Sequence, residues 1–246
     1  FITPSQACIK PELIQRKDAN KRAKIEVKSD GTYIEIGNNG NQVLESAKIS
    51  LNDCLACSGC VTSAETVLIT AQSTKEFLKN IGIGKTVVIS ISPQSRASLA
   101  AFYHLDTKTT LKKLISLFKL LGCNYVFDTT FSREFALMET AAEFIARFRD
   151  GIAPVPMLTS ECPGWICYAE KELGDFVLPH ISSTKSSQQI MGTIVKYFFA
   201  KKLNLEPDNV YHATVMPCYD KKLEASRDDF YSDIFKTRDV DCVLAT

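Results

Sequence analysis

An α/β fold with a mainly parallel sheet is what this sequence predicts, on three observations. From about residue 86 onward, β-branched apolar runs alternate with stretches whose apolar residues recur at helical spacing. Glycine, proline and hydroxyl residues mark the joins between them. The size also fits: 246 residues, 45% hydrophobic and 23% charged, are ample to bury a core without disulfides. Strands that alternate with helices are joined by crossovers, and crossovers make a sheet parallel.

The elements follow in order. Gly31–Ile36 alternates as a short strand, and Asn38–Asn41 reads as a turn. Lys10–Lys28 mixes both charge signs and reads as a solvated connection. The character of the chain changes near residue 81, which separates a polar segment of residues 1–80 from an α/β domain of residues 81–246. Thr86–Ser92, bounded by Lys85 and Pro93, is a buried strand. Leu111, Leu114, Ile115, Phe118 and Leu121 repeat at helical spacing, and Gly122 stands where a helix C-cap belongs. Asn124–Asp128 is a second strand, and Ser132 caps a long helix whose apolar face includes Phe135, Met138, Ala142 and Ile145. Val155–Thr159 is a third strand. A helix over Ser187–Lys202 carries Ile190, Ile194 and Phe198 on one face. Tyr211–Met216 and Val240–Ala245 complete the set. The chain opens on Phe1 and closes in a strand without its turn, so it reads as a fragment of a longer polypeptide.

Composition excludes several function classes. A net charge of +1, from 29 basic and 28 acidic residues, argues against a broad nucleic-acid footprint or a polybasic membrane anchor. No apolar run approaches the about 20 residues a membrane span needs, and no secretory h-region opens the chain. Nine cysteines without a signal peptide place the protein in a reducing, cytoplasmic setting, where clustered thiols mean metal.

The strongest local signal is Cys54-Leu-Ala-Cys57-Ser-Gly-Cys60. Three thiolates at C-x2-C-x2-C spacing wrap a short loop around one corner of a [4Fe–4S] cube. Small residues at Ala56, Ser58 and Gly59 let that loop pack against inorganic sulfide. The ferredoxin position for a fourth cysteine is Ala64, and Cys8 is the only other cysteine before Cys123. A structural zinc site on the same four residues is the alternative, although zinc sites favour two separated pairs. Two further cysteines each stand beside a proline after a predicted strand: Cys162 in Thr159-Ser-Glu-Cys-Pro-Gly-Trp165, and Cys218 in Met216-Pro-Cys-Tyr-Asp-Lys-Lys-Leu-Glu224. In an α/β fold both would lie at strand carboxyl ends, where ligands gather. Two thiolates leave a [4Fe–4S] cluster two ligands short. Cys123, Cys167 and Cys242 lie in apolar surroundings and read as core thiols. Gly82-Ile-Gly-Lys-Thr86 looks like a P-loop end but precedes a strand, so it reads as a turn.

The two later motifs resemble the first two signatures of the iron-only hydrogenase active site, T-S-C-C-P-x-W and M-P-C-x-x-K-x-x-E. Ser50–Cys60, Thr62–Ile69, Ser92–Ala100 and Val126–Thr129 extend the resemblance over nearly the whole chain, to the eukaryotic NARF-like branch of that superfamily. The resemblance implies a ferredoxin-like N-terminal cluster on Cys8, Cys54, Cys57 and Cys60. It implies a second [4Fe–4S] cluster with Cys162 and Cys218 as two of its four ligands, the others belonging to a third C-x3-C motif that is absent here. It implies a non-catalytic role in cytosolic iron–sulfur protein assembly, linking an upstream scaffold to a late targeting complex with a WD40 propeller protein and a HEAT-repeat protein. A nuclear, prelamin-binding paralogue ranks second, and a hydrogenase-type redox enzyme is the rival from another class. Glu161 argues against the enzyme: hydrogenases have a proton-relaying cysteine there, and a carboxyl group has a reference pKa of about 4.3 against about 8.5 for a thiol. Lys221 and Glu224 fit the pattern, and also fit a simple ion pair.

Overall fold

The computed structural model describes residues 24–27, 33–37, 40–43, 69 and 71–246. The chain divides into two compact units, Phe1–Cys60 and Val61–Thr246. In the first, β1 (Lys24–Val27), β2 (Tyr33–Gly37) and β3 (Gly40–Val43) pair antiparallel in that order. Gly37 pairs with Gly40; of the turn expected over Asn38–Asn41, Gly40 and Asn41 belong to β3, and Asn38 and Asn39 lie outside the described residues. One expectation is corrected: Lys24–Val27, read as solvated connection, is a strand on β2. Its four-residue alternation is too short to stand out from the mixed charge around it.

The second unit runs α1 (Thr74–Asn80), β4 (Thr86–Ile91), α2 (Pro93–Phe102), α3 (Thr107–Leu120), β5 (Tyr125–Asp128), α4 (Thr130–Asp150), α5 (Pro163–Tyr168), α6 (Gly174–Val177), α7 (Ser187–Thr193), α8 (Ala200–Lys202), β6 (Val210–Met216), α9 (Asp220–Ser226), the short pair β7 (Tyr231–Ser232) and β8 (Thr237–Arg238), and β9 (Cys242–Ala245). Four strands form a fully parallel sheet in the order β5-β4-β6-β9. Strand periodicity sorts its two faces. Val87, Ile89 and Ile91 pack with Tyr211, Ala213 and Val215 beneath Phe77 and Phe118. Val88 and Val210 pack on the other face with Met191, Val195 and Ala200. That second face also buries Ser90, His212 and Thr214 completely. Gly122 takes φ +105° after α3, as its expected capping place requires, and a Cβ there would meet Ile81 Cγ2 at 2.9 Å.

Three element readings change. Val155–Thr159 is not a strand of the sheet; only Leu158 forms a bridge, to Ile181. Pro154 and Pro156 lack the N–H groups a ladder needs, which outweighs the apolar pattern. The long helix α4 starts earlier than expected, with Thr129 before its first turn and Asp128 Oδ1 accepting from Thr130 N at 2.8 Å. Ser132 lies buried inside that helix and donates to Thr129 O at 2.8 Å. The predicted apolar face of α4 points outward: Phe135, Met138 and Ile145 are 41%, 68% and 50% exposed. The expected helix over 187–202 is present as α7, a wider π turn at Ile194–Phe199, and α8. The core-facing stripe is Met191 and Val195, one residue over from the expected Ile190 and Ile194, and Phe198 is exposed.

The segment before α1 is locked onto the end of the sheet by one amide. Gln72 Nε2 donates to Lys222 O at 2.8 Å and to Ser226 Oγ at 2.7 Å, and Gln72 Oε1 accepts from Val243 N at 3.1 Å. Lys222 Nζ returns a bond to Gln72 O at 2.7 Å. Gln72→Ala is expected to destabilise the unit by about 1–3 kcal/mol, because it leaves the N–H of buried Val243 without its acceptor. A thermal midpoint within about 1 °C of the parent would contradict this clamp.

Candidate functional site

The chain passes from β4 to β5 on one side and returns through β6 on the other, so the sheet reverses direction of build between β4 and β6. Ligand crevices in open α/β sheets form at the strand carboxyl ends of such a point. Hydroxyl groups brace that end. Ser92 Oγ accepts from Ser95 N at 3.1 Å, Ser95 Oγ donates to Val215 O at 3.3 Å, and Thr246 Oγ1 donates to Met216 O at 3.1 Å. Arg96 pairs with Asp128 at the ends of α2 and β5.

Cys218 stands here, half-buried, just after β6 and just before α9. Burial pushes its thiol up, while N–H bonds from Lys221 and Asp220 pull in the opposite direction. In the first turns of α9, Lys221 Nζ meets Glu224 Oε2 at 2.8 Å with both side chains buried, so the ion-pair reading holds. Helix α7 supports this turn. Gln188 Nε2 donates to Lys221 O at 3.1 Å and to Glu224 Oε1 at 3.3 Å, and Thr214 Oγ1 donates to Gln188 Oε1 at 3.1 Å. Ser186 Oγ also donates to Glu224.

Cys162 precedes α5, and its N–H donates to Ser160 Oγ at 3.0 Å. Because residues 155–159 are not a sheet strand, Cys162 does not stand at a strand end; it is exposed on the wall of a cavity of about 540 Å³. Glu161, Thr140 and Arg133, the loop Ile181–Ser186, and Glu224 line the same cavity. Helix α5 packs on α9, and Arg227 at the end of α9 makes a forked pair with Glu170 at 2.9 and 2.7 Å. The structure thus sets Cys162 and Cys218 before two helices that touch. Cys167, expected in the core, is half-buried and shares the cavity wall with Cys162. Cys123 and Cys242 are core thiols as expected, and burial pushes Cys123 up to about 11. Cys8, Cys54, Cys57 and Cys60 lie outside the described residues.

The loop on the cavity's far wall is nailed to α4 by a pair made of buried Arg147 and half-buried Glu143. Arg147 Nη2 meets Glu143 Oε1 at 2.6 Å, and the guanidinium also donates to Pro179 O and His180 O at 3.2 Å and to Ile181 O at 2.7 Å. Glu143 takes bonds from Ser182 Oγ and Ser183 N. Sequence patterns gave no sign of this pair, because a Glu and Arg four apart on a helix usually face solvent.

Soft thiols as donors suit an iron–sulfur group. Among the described residues no group of three or more His, Cys, Asp or Glu stands close enough to hold a metal ion. The thiols of Cys162 and Cys218 are donors of the right kind for such a group. Among the described residues no helix is long and apolar enough to cross a membrane.

Residues 85–246 match the model of the iron only hydrogenase large subunit, C-terminal domain. The whole chain is 52% identical over 291 aligned positions to a Dictyostelium discoideum protein named probable cytosolic Fe-S cluster assembly factor, covering 56% of it. It is 57% identical over 258 positions to cytosolic iron-sulfur assembly component 3 of Bos taurus, covering 54% of it. The chain thus spans about half the length of these relatives. Among solved structures, an apo [FeFe]-hydrogenase of Chlamydomonas reinhardtii superposes with a TM-score of 0.61 at 32% identity, over 75% of this chain and 45% of that one.

Proposed function

The chain belongs to the iron-only hydrogenase family, matching its C-terminal domain, and from that premise we propose that it is a non-catalytic component of cytosolic iron–sulfur protein assembly. Cys8, Cys54, Cys57 and Cys60 hold one [4Fe–4S] cluster in this reading, and Cys162 with Cys218 supply half the ligands of a second. The observation that carries it is the pairing of two thiols ahead of the touching helices α5 and α9, in a chain whose relatives are named as assembly factors. Such a cluster supplies one-electron chemistry or is itself passed on as cargo. The partners are an upstream scaffold and a late targeting complex with a WD40 propeller protein and a HEAT-repeat protein. The working compartment is the cytoplasm, with the nucleus as a further site.

The likeness to solved hydrogenases favours a second reading, a redox enzyme of that type. Glu161 on the cavity wall weighs against it, since a larger side chain of different chemistry occupies the place of a relay thiol. A hydrogen-evolution assay on protein reconstituted without oxygen separates the two, because turnover would favour the enzyme.

Iron and acid-labile sulfide counts after anaerobic reconstitution test the assembly reading. Cys57→Ala is expected to abolish iron at the N-terminal site and to leave the helical circular dichroism of the α/β unit unchanged. Protein that stays colourless under those conditions would overturn the reading.

A further inference from the structure

We infer that Gln188 is a positioning residue for Cys218, its side-chain amide clamping the β6-to-α9 turn on both sides of that cysteine. Gln188 is fully buried on α7. Its oxygen accepts from Thr214, four residues before Cys218, and its nitrogen donates to the carbonyl of Lys221, three residues after it. One rigid amide plane therefore fixes the distance between the end of β6 and the first turn of α9. The Lys221–Glu224 pair lies within α9 and does not reach the strand. Gln72 ties α9 to β9 instead. Gln188 is the group that spans the turn carrying the thiol.

The neighbouring residue is an internal control. Gln189 is equally buried, on the same helix, with the same side chain, and neither of its amide atoms has a hydrogen-bond partner. Engagement on both flanks of Cys218 is therefore particular to Gln188. Ser186, the residue that caps α7, adds a hydroxyl that donates to Glu224 at the far end of the clamp. The consequence for metal binding rests on Cys218 being a cluster ligand, but the clamp itself is a matter of geometry.

The test uses the full chain, without iron, and reads iodoacetamide alkylation at Cys218 and Cys162 by mass spectrometry. Gln188→Met keeps length and volume and removes both flanking bonds together with the bond to Glu224. It is expected to speed alkylation of half-buried Cys218 by about 5- to 10-fold, the effect of losing one net hydrogen-bond equivalent. Cys162 is expected to stay within about twofold, because its turn makes none of these bonds. Thr214→Val, a milder change that removes one flank, is expected to move Cys218 in the same direction. Combined with Gln188→Met it should add little, the signature of a shared interaction. Gln189→Met is expected to leave both rates unchanged. The clamp is wrong if Gln188→Met leaves Cys218 at its parent rate, if Cys162 accelerates in parallel, or if Gln189→Met acts equally. Iron counts on the same proteins are read separately. A parent chain that binds no iron would sink the assembly reading, while the alkylation rates would still decide the clamp.

Discussion

Alanine at Arg147 will cost the α/β unit about 2–4 kcal/mol, from losing a buried guanidinium that charge-assisted bonds tie to one carboxylate and four carbonyls. The guanidinium is 6% exposed and divides its donors between Glu143 and the carbonyls of Pro154, Pro179, His180 and Ile181. Removing it takes a charged donor from four carbonyls and a carboxylate at once, although His180 O keeps its bond from Leu158 N and Glu143 keeps those from Ser182 and Ser183. Burial alone would raise the Glu143 pKa, but bonds from Ser182, Ser183 and Arg147 outweigh it and hold the group at about 2. Glu143 is therefore ionised at neutral pH and needs its partner. Urea unfolding followed by circular dichroism measures the loss as a lower midpoint at an unchanged slope. Arg147→Lys keeps the charge but not the planar fork, so it should fall between the alanine variant and the parent. A loss below about 1 kcal/mol in the alanine variant would mean that the loop over Pro179–Thr184 is held by other contacts.

The same helix marks where sequence reasoning succeeded and where it had to fail. Spacing alone identified α4 as helical, since Phe135, Met138, Ala142 and Ile145 repeat correctly. Spacing does not say which stripe faces the sheet. Ser132, Glu143 and Arg147 take the inner side, where each bonds a backbone group that an apolar side chain could not. The apolar stripe is left outside. Strands β4, β5, β6 and β9 were legible because continuous β-branched runs suit a sheet covered on both faces. Residues 155–159 are also mainly apolar, and only Pro156 and the preceding Pro154 told against a strand. At the site, Cys162 and Cys218 were visible as proline-flanked thiols, and the Lys221–Glu224 pair as a three-residue spacing. Gln188 was not visible. A glutamine within a helical run looks alike whether it faces solvent or bridges a strand and a helix 26 to 33 residues away. Cys167 was misjudged for a related reason: apolar neighbours in sequence do not fix which wall of a short helix borders a cavity.

Acid is expected to destabilise the unit well above the range where carboxylates titrate, because of His212. The imidazole is completely buried on β6, facing α7. Asp239 O, 3.0 Å from Nδ1, is an acceptor only, so Nδ1 carries the proton and Nε2 accepts from Ser90 Oγ at 2.9 Å. Both ring nitrogens are thus committed to the neutral form. Burial pushes the pKa down to about 3; the bond to Asp239 opposes this and the nearby Lys196 ammonium adds to it. Lys196 is itself paired with Asp241 at 2.7 Å, and Asp241 also accepts from His212 N at 2.7 Å. In the unfolded chain the same histidine titrates near about 6.5. Between those values the unfolded state binds the extra proton, so stability falls as pH falls. The loss begins near about pH 6.5 at about 1.4 kcal/mol per unit and totals about 4–5 kcal/mol by about pH 3. Glu143 adds its own loss only below about pH 4.5, where its unfolded form begins to protonate. The two windows separate the two groups. His212→Gln should lower stability at neutral pH by breaking the ring's bonds, yet flatten the slope between about pH 6.5 and about pH 5. Urea midpoints measured across that range decide the matter: a variant with the parent's slope would assign the acid sensitivity to another group.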